Sequence, residues 1–238
     1  MPQLILIRHG ESEWNRDNRF TGWTDVGLTP RGYEQMLEAA AWLRREAIGF
    51  DVAFTSVLSR CIASQWALLE GMERLWIPVV LDWRLNERHY GALTGLTKAA
   101  AIETYGSEAV QQWRRSFDVA PPKGAGDGAG FEIIDARYAQ LKPWQIPQGE
   151  SLGHVVQGVS RVWVRSISPA LRSGQRVAVT AHGNSLRALI KLVEGLWDVE
   201  ITHREVPNAA PLVYDLDTDL HVVRSIQMPA GDQRSEIL

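Results

Sequence analysis

Two histidine–glycine pairs lie far apart in the chain, in Arg8-His9-Gly10 and in Ala181-His182-Gly183. An imidazole has an unperturbed pKa near neutrality, so the neutral ring is available as a nucleophile at about pH 7. Glycine beside each histidine lets backbone approach a ligand closely. Arg8, next to His9, carries a planar cationic fork matched to phosphate oxygens. Taken singly, a His-Gly pair reads as a partly buried ring that satisfies loop hydrogen bonds. Two such pairs in equivalent settings, one with an arginine attached, favour chemistry on a phosphate.

The equivalence comes from the elements that precede them. Leu4-Ile5-Leu6-Ile7 is a short apolar run, the pattern of a strand buried on both faces, and it stops at Arg8-His9-Gly10. Residues 176–181 form a similar run that stops at His182-Gly183-Asn184. Thr29-Pro30 opens a helix, with Thr29 as N-cap and Pro30 in the first turn, and Gly49 is expected to stop it. Strands are expected at 51–55 and 79–81. Helices are expected at 59–71, near 107–117, over 152–167 and from about 185 to 194. Residues 211–216 and 220–226 resemble a final strand pair. Residues 124–130 are Gly-rich and read as a surface loop, and 229–238 read as a mobile tail after one domain over 1–228.

Strands alternating with helices predict an α/β fold with a mostly parallel sheet covered on both faces. Ligands bind such sheets beyond the carboxyl ends of the strands. The two imidazoles meet there only if their strands are neighbours, which spacing alone does not show.

Composition narrows the class. The 238 residues are 45% hydrophobic and 22% charged, ordinary for a globular chain. Lys and Arg number 25 against 28 Asp and Glu, a net charge of −3, which argues against general binding to nucleic acid or to a membrane surface. A single cysteine, Cys61, forms no internal disulfide, and the histidines include no HExxH pair, so no metal site is expected. No stretch has the length of a membrane span, and a cytoplasmic location is expected.

Longer motifs carry a resemblance. Arg8-His9-Gly10-Glu11-Ser12-Glu13-Trp14-Asn15 resembles the signature of the histidine phosphatase superfamily. Arg19-Phe20-Thr21-Gly22-Trp23, Thr55-Ser56-Val57-Leu58-Ser59-Arg60 and Leu85-Asn86-Glu87-Arg88-His89-Tyr90-Gly91 narrow it. With Gln112-Trp113-Arg114-Arg115, Gly149-Glu150-Ser151-Leu152 and His182-Gly183-Asn184-Ser185-Leu186-Arg187, the chain is similar to the cofactor-dependent phosphoglycerate mutases over about residues 4–226. Two segments depart from that family's pattern. Residues 206–211 read Val-Pro-Asn-Ala-Ala-Pro rather than carrying Pro-Thr-Gly or Pro-Ser-Gly, and residues 227–238 lack the usual tail.

The resemblance implies a three-layer α/β/α sandwich and interconversion of 3- and 2-phosphoglycerate, primed by 2,3-bisphosphoglycerate. It implies that His9 becomes phosphohistidine, Glu87 is the general acid/base and His182 stabilises the phosphoryl group in transfer. It places Arg8 and Arg60 against that group, and Arg88, Lys98, Arg114 and Arg115 on the remote phosphate or carboxylate. A bisphosphorylated glycerate carries roughly −4 to −5, which such cations offset. The resemblance also brings Gly10, Glu11, Ser12, Glu13, Trp14, Asn15, Thr21, Gly22, His89, Tyr90, Gly183 and Asn184 to the substrate. It implies a homodimer or homotetramer and small phosphoglycerates as the only other partners. The alternative is a phosphomonoesterase, in which water takes the phosphoryl group from the same histidine. A third reading, a binding protein without catalysis, has no use for a nucleophile and an acid/base together.

Overall fold

In the computed structural model, residues 1–124 and 135–229 are described. Strands β1 (Gln3–Arg8), β2 (Val52–Thr55), β3 (Val79–Leu81), β4 (Val177–Ala181), β5 (Leu212–Leu216) and β6 (Val222–Gln227) form one sheet. Their order is β3-β2-β4-β1-β5-β6. The pairs β2–β3, β2–β4 and β1–β4 are parallel, while β5 and β6 join antiparallel. The mostly parallel sheet expected from alternation is present, and the final strand pair forms its antiparallel edge.

The apolar runs are continuous because both faces of the sheet are covered. Leu4 and Leu6 point into one core, with Val177 and Val179 of β4. Ile5 and Ile7 point into the other, with Ala53 and Ala178. Helices α2 (Pro30–Arg45) and α3 (Ser59–Gly71) cover the second face, following the short α1 (Glu13–Arg16). Helices α4 (Lys98–Tyr105) and α5 (Ser107–Arg115) stand apart around a small cluster of Phe20, Leu93, Ala101 and Val110. The first face is covered by α6 (Leu152–Val162), α7 (Ser168–Arg172), α8 (Gly183–Glu194) and α9 (Asp198–Thr202). The result is the three-layer α/β/α sandwich.

Several boundaries differ from expectation for local reasons. Helix α2 ends at Arg45, ahead of Gly49, because Ala47 takes a left-handed φ of 55°. That turn lets the Ile48 N–H donate to the Leu43 carbonyl at 2.8 Å and buries Ile48. The single helix expected over 152–167 is a helix followed by a π-helical stretch, Trp163–Ile167, with α7 beyond it. Helix α8 starts at Gly183, two residues before the expected start, immediately after His182. Most of the glycine-rich loop (125–130) and nearly all of the tail (230–238) lie outside the described residues. Among the described residues, no helix is long and apolar enough to cross a membrane.

Candidate active site

Strands β1 and β4 are neighbours in parallel register, with Arg8 opposite Ala181. The ladder continues one step, as the His9 N–H donates to the Ala181 carbonyl at 3.0 Å. The two imidazoles are thereby set side by side at the carboxyl edge of the sheet. Their centroids are 5.0 Å apart and their planes meet at 65°.

His9 is held in one useful tautomer. Its Nδ1 lies 2.7 Å from the Gly10 carbonyl, which can only accept, so Nδ1 carries the proton. Nε2 of the neutral ring then keeps a free lone pair. Burial, followed by the charges of Arg60 and Arg8, pushes the His9 pKa well below the ordinary imidazole value. His182 is shifted the same way by burial, Arg60, His9 and Arg8. Both rings are therefore uncharged at neutral pH. His182 is fully buried behind His9, with Nε2 2.9 Å from Ser56 Oγ and 3.3 Å from Cys61 Sγ. Its position caps α8, whose backbone N–H groups present the positive end of the helix dipole to the site.

In front of His9 opens a cleft of about 150 Å³. Its walls carry Arg8, Arg19, Arg60, Arg88, Lys98, Arg114, Arg115 and Arg187 against only Glu87 and Glu205. A near-neutral chain thus concentrates positive charge in one hollow, the arrangement that attracts and holds a polyanion. Arg60 is buried, and its guanidinium donates to the carbonyls of Gly22 and Thr24 at 2.8 and 2.9 Å. Arg8 donates to the Val206 carbonyl at 3.0 Å, and Arg88 to the Trp113 carbonyl at 2.9 Å. The buried Nε atoms of Arg8 and Arg88 find no partner among the described residues. Buried open donors on a cleft wall fit an anionic ligand that completes them.

Glu87 follows a short 3₁₀ turn, Trp83–Leu85, and reaches the same hollow. Oε1 accepts from its neighbour's backbone N–H (Arg88, 2.7 Å) and from the Asn184 amide at 2.8 Å. Asn184 is itself fixed by Arg187, whose guanidinium donates to Asn184 Oδ1 at 3.3 Å. Burial, and then the nearby Arg115, bring the Arg187 pKa down to about 10. A carboxylate with a defined orientation shares the hollow with the neutral His9 imidazole and several cations, a set suited to phosphoryl transfer assisted by an acid/base.

Most of the expected residues line this cleft: Arg8, His9, Trp14, Asn15, Thr21, Arg60, Glu87, Arg88, Tyr90, Lys98, Arg114, Arg115, Gly183 and Asn184. His182, Gly10, Glu11, Ser12, Glu13, Gly22 and His89 do not: His182 is buried behind His9, and each of the others has a supporting task nearby. A Cβ on Gly10 would fall 2.0 Å from the Gly32 carbonyl, so this glycine admits the start of α2, not a ligand. Glu11 accepts from the Thr29 hydroxyl at 2.7 Å, and Ser12 caps α1. The Glu13 N–H donates to the Gly27 carbonyl, and Gly22 offers its carbonyl to Arg60. His89 Nδ1 accepts from the Gly91 N–H at 3.0 Å, and the His89 backbone pairs with Glu150 through two hydrogen bonds. That pairing clamps the segment bearing Glu87.

Asn18, Arg19, Phe20, Arg187, Glu205 and Val206 line the cleft without having been assigned to it from sequence. Arg187 had a legible signal, since it follows Asn184 by three residues on one helix and so shares its face. Glu205 and Val206 had none. Their place follows from the return of the chain after α9. Among the described residues, no group of three or more His, Cys, Asp or Glu side chains is placed to hold a metal ion.

Residues 4–141 match the family model described as Histidine phosphatase superfamily (branch 1). Solved structures share the fold. An α-ribazole phosphatase from Shigella flexneri is 22% identical with a TM-score of 0.69, covering 94% of this chain and 95% of its own. Bacillus stearothermophilus YhfR is 23% identical with a TM-score of 0.70, over 94% of this chain and 96% of its own. A mycobacterial glucosyl-3-phosphoglycerate phosphatase complexed with VO3 is 23% identical with a TM-score of 0.68, over 90% and 93%.

Proposed function

The chain belongs to the histidine phosphatase superfamily, and on that premise we propose that it is a phosphoglycerate mutase working through phospho-His9, with 2,3-bisphosphoglycerate as priming donor. One observation carries the reading. Beyond the imidazole pair, the cleft continues into further cations, Lys98, Arg114 and Arg115. A monoester with a neutral body has no use for them, whereas a phosphoglycerate presents a second anionic group to that end. The donor set suits the bisphosphate for the same reason, and a phosphoryl group supplied by it would charge His9.

In this mechanism Nε2 of His9 attacks phosphorus, and the bond to the departing oxygen breaks. Glu87 gives that oxygen a proton, then takes one from the acceptor hydroxyl in the reverse transfer. Arg8 and Arg60 lie against the equatorial oxygens, and His182 with the N-terminus of α8 adds donors where charge builds. Positioning and charge account for most of the rate in such transfers.

A second reading, a phosphomonoesterase with water as acceptor, is favoured by the solved neighbours: the Shigella and mycobacterial proteins are both named as phosphatases. The two readings share His9, Glu87, His182, Arg8 and Arg60 and differ in what accepts the phosphoryl group. One assay separates them. Purified protein with 3-phosphoglycerate, trace 2,3-bisphosphoglycerate and EDTA is followed for 2-phosphoglycerate and inorganic phosphate together. The mutase yields the isomer far faster than phosphate. Phosphate release at a comparable or higher rate establishes the esterase instead. We further propose a cytoplasmic protein that assembles as a homodimer or homotetramer, as sedimentation would show.

A further inference from the structure

The cleft holds one carboxylate besides Glu87, and no step of the mechanism uses it. Glu205 lies on the cleft wall with Oε1 2.8 Å from Nη2 of Arg115. The other end of the Arg115 fork donates to the Thr202 carbonyl at 3.4 Å. Arg115, at the end of α5, is therefore already tied to the segment that follows α9. An anionic group arriving at Arg115 meets an arginine that has a counter-ion. It must share Arg115 with Glu205 or displace it, and it feels the charge of Glu205 in either case. Burial acts to raise the Glu205 pKa, but the hydrogen bond and charge of Arg115 prevail and hold it below the usual carboxylate value. The carboxylate is thus charged at neutral pH.

We propose that Glu205 is a specificity-determining residue: it occupies Arg115 and so weakens the cleft's hold on ligands with a second, strongly anionic group. The proposal rests on the reading of this cleft as a phosphate-ester site. Its consequence is a limit on how long a bisphosphorylated ligand stays bound. A single exposed charge at this range changes affinity by a factor of about two to five.

A purely structural role for Glu205, stapling α5 to the chain after α9, makes a different forecast. Glu205→Gln keeps a hydrogen-bond acceptor for Arg115 and removes the charge, so a staple survives it. The test is isothermal titration, in a His9→Ala background that cannot take the phosphoryl group, of the protein with Glu205 and of its E205Q counterpart, with 2,3-bisphosphoglycerate and, separately, with inorganic phosphate. In E205Q the bisphosphoglycerate Kd falls about two- to fivefold, and this tightening exceeds that for inorganic phosphate by about twofold or more. The difference shrinks in about 0.5 M salt. Equal changes for both ligands, or weaker bisphosphoglycerate binding in E205Q, overturn the proposal. Glu205→Asn makes the same charge change should E205Q fail to fold. These readouts are equilibrium binding and need no turnover. Absence of any phosphoenzyme or phosphoryl transfer in wild type would defeat the proposed function while leaving the Glu205 comparison to be judged by its own result.

Discussion

The floor and the far wall of the cleft are built in different ways. At the floor, His9, His182 and Arg60 are at most 3% exposed and hang from strand ends or from α3 behind them. At the far wall, Arg115 and Glu205 expose 36% and 71% of their side chains and sit on α5 and on the segment after α9. Buried groups feel a low dielectric, cannot swing, and have their protonation set by their surroundings. Exposed charges are screened, mobile and worth little each. The floor is thus suited to lowering a barrier, and the wall to choosing a ligand. Substitutions at the floor are expected to act on kcat, and substitutions at the wall on KM.

The largest break in that contrast is at Glu87. Glu87→Gln keeps the Asn184 contact but supplies no proton, and kcat falls by about 10²–10⁴ while phosphoglycerate binding in calorimetry stays within about threefold. Retained turnover would remove the carboxyl from the chemistry. Arg60→Lys comes next. A lysine keeps the charge and loses the fork that donates to Gly22 and Thr24, so kcat falls by about 10². Steady-state kinetics reads this directly, and a change confined to KM would erase the distinction between floor and wall.

Acid tests the floor through stability. The pKa values of His9 and His182 are held well below the ordinary value by burial first, and that of His89 is brought to about 4 by burial alone. Below about pH 6.5 the unfolded chain takes up these protons and the folded chain does not, so stability drops as pH falls. Glu150 acts oppositely. Burial raises its carboxyl to about 7, so the folded chain binds that proton first and gains stability between about pH 7 and 4.5. His89 and Glu150 largely offset each other, and His9 with His182 set the balance. Urea unfolding is expected to give about 1–3 kcal/mol less stability at pH 5 than at pH 7. Greater stability at pH 5 would mean the two rings are charged in the fold. At the wall, Arg114→Ala is the mildest change, with KM for 3-phosphoglycerate raised about fivefold and kcat within about twofold.

The same division governs what the sequence made legible. Strand ends were readable, because a short continuous apolar run that stops at Arg8-His9 or Ala181-His182 reads as a strand buried on both faces. His9, Glu87 and His182 followed from motifs whose spacing is local. What no spacing revealed was the adjacency of β1 and β4, whose paired residues, such as Leu4 and Val177, are distant in the chain, or the return of Glu205 to the cleft after α9. Gly10 has a structural reason that its motif did not show: the backbone of Gly32 fills the space a Cβ would take. Gly49 was read as a helix stop where Ala47 makes the turn, because a left-handed alanine leaves no mark in composition. Wall residues depend on how distant segments pack, and that information is tertiary.

The most direct measurement concerns His9 itself. Protein incubated with 2,3-bisphosphoglycerate, quenched in alkali and digested, is examined by mass spectrometry for an acid-labile phosphoryl group. The tautomer and burial of His9 lead to a single label on the peptide that contains it, lost in acid and missing from His9→Ala. A label that persists in His9→Ala, or that sits on any other side chain, would contradict the assignment of His9 as nucleophile.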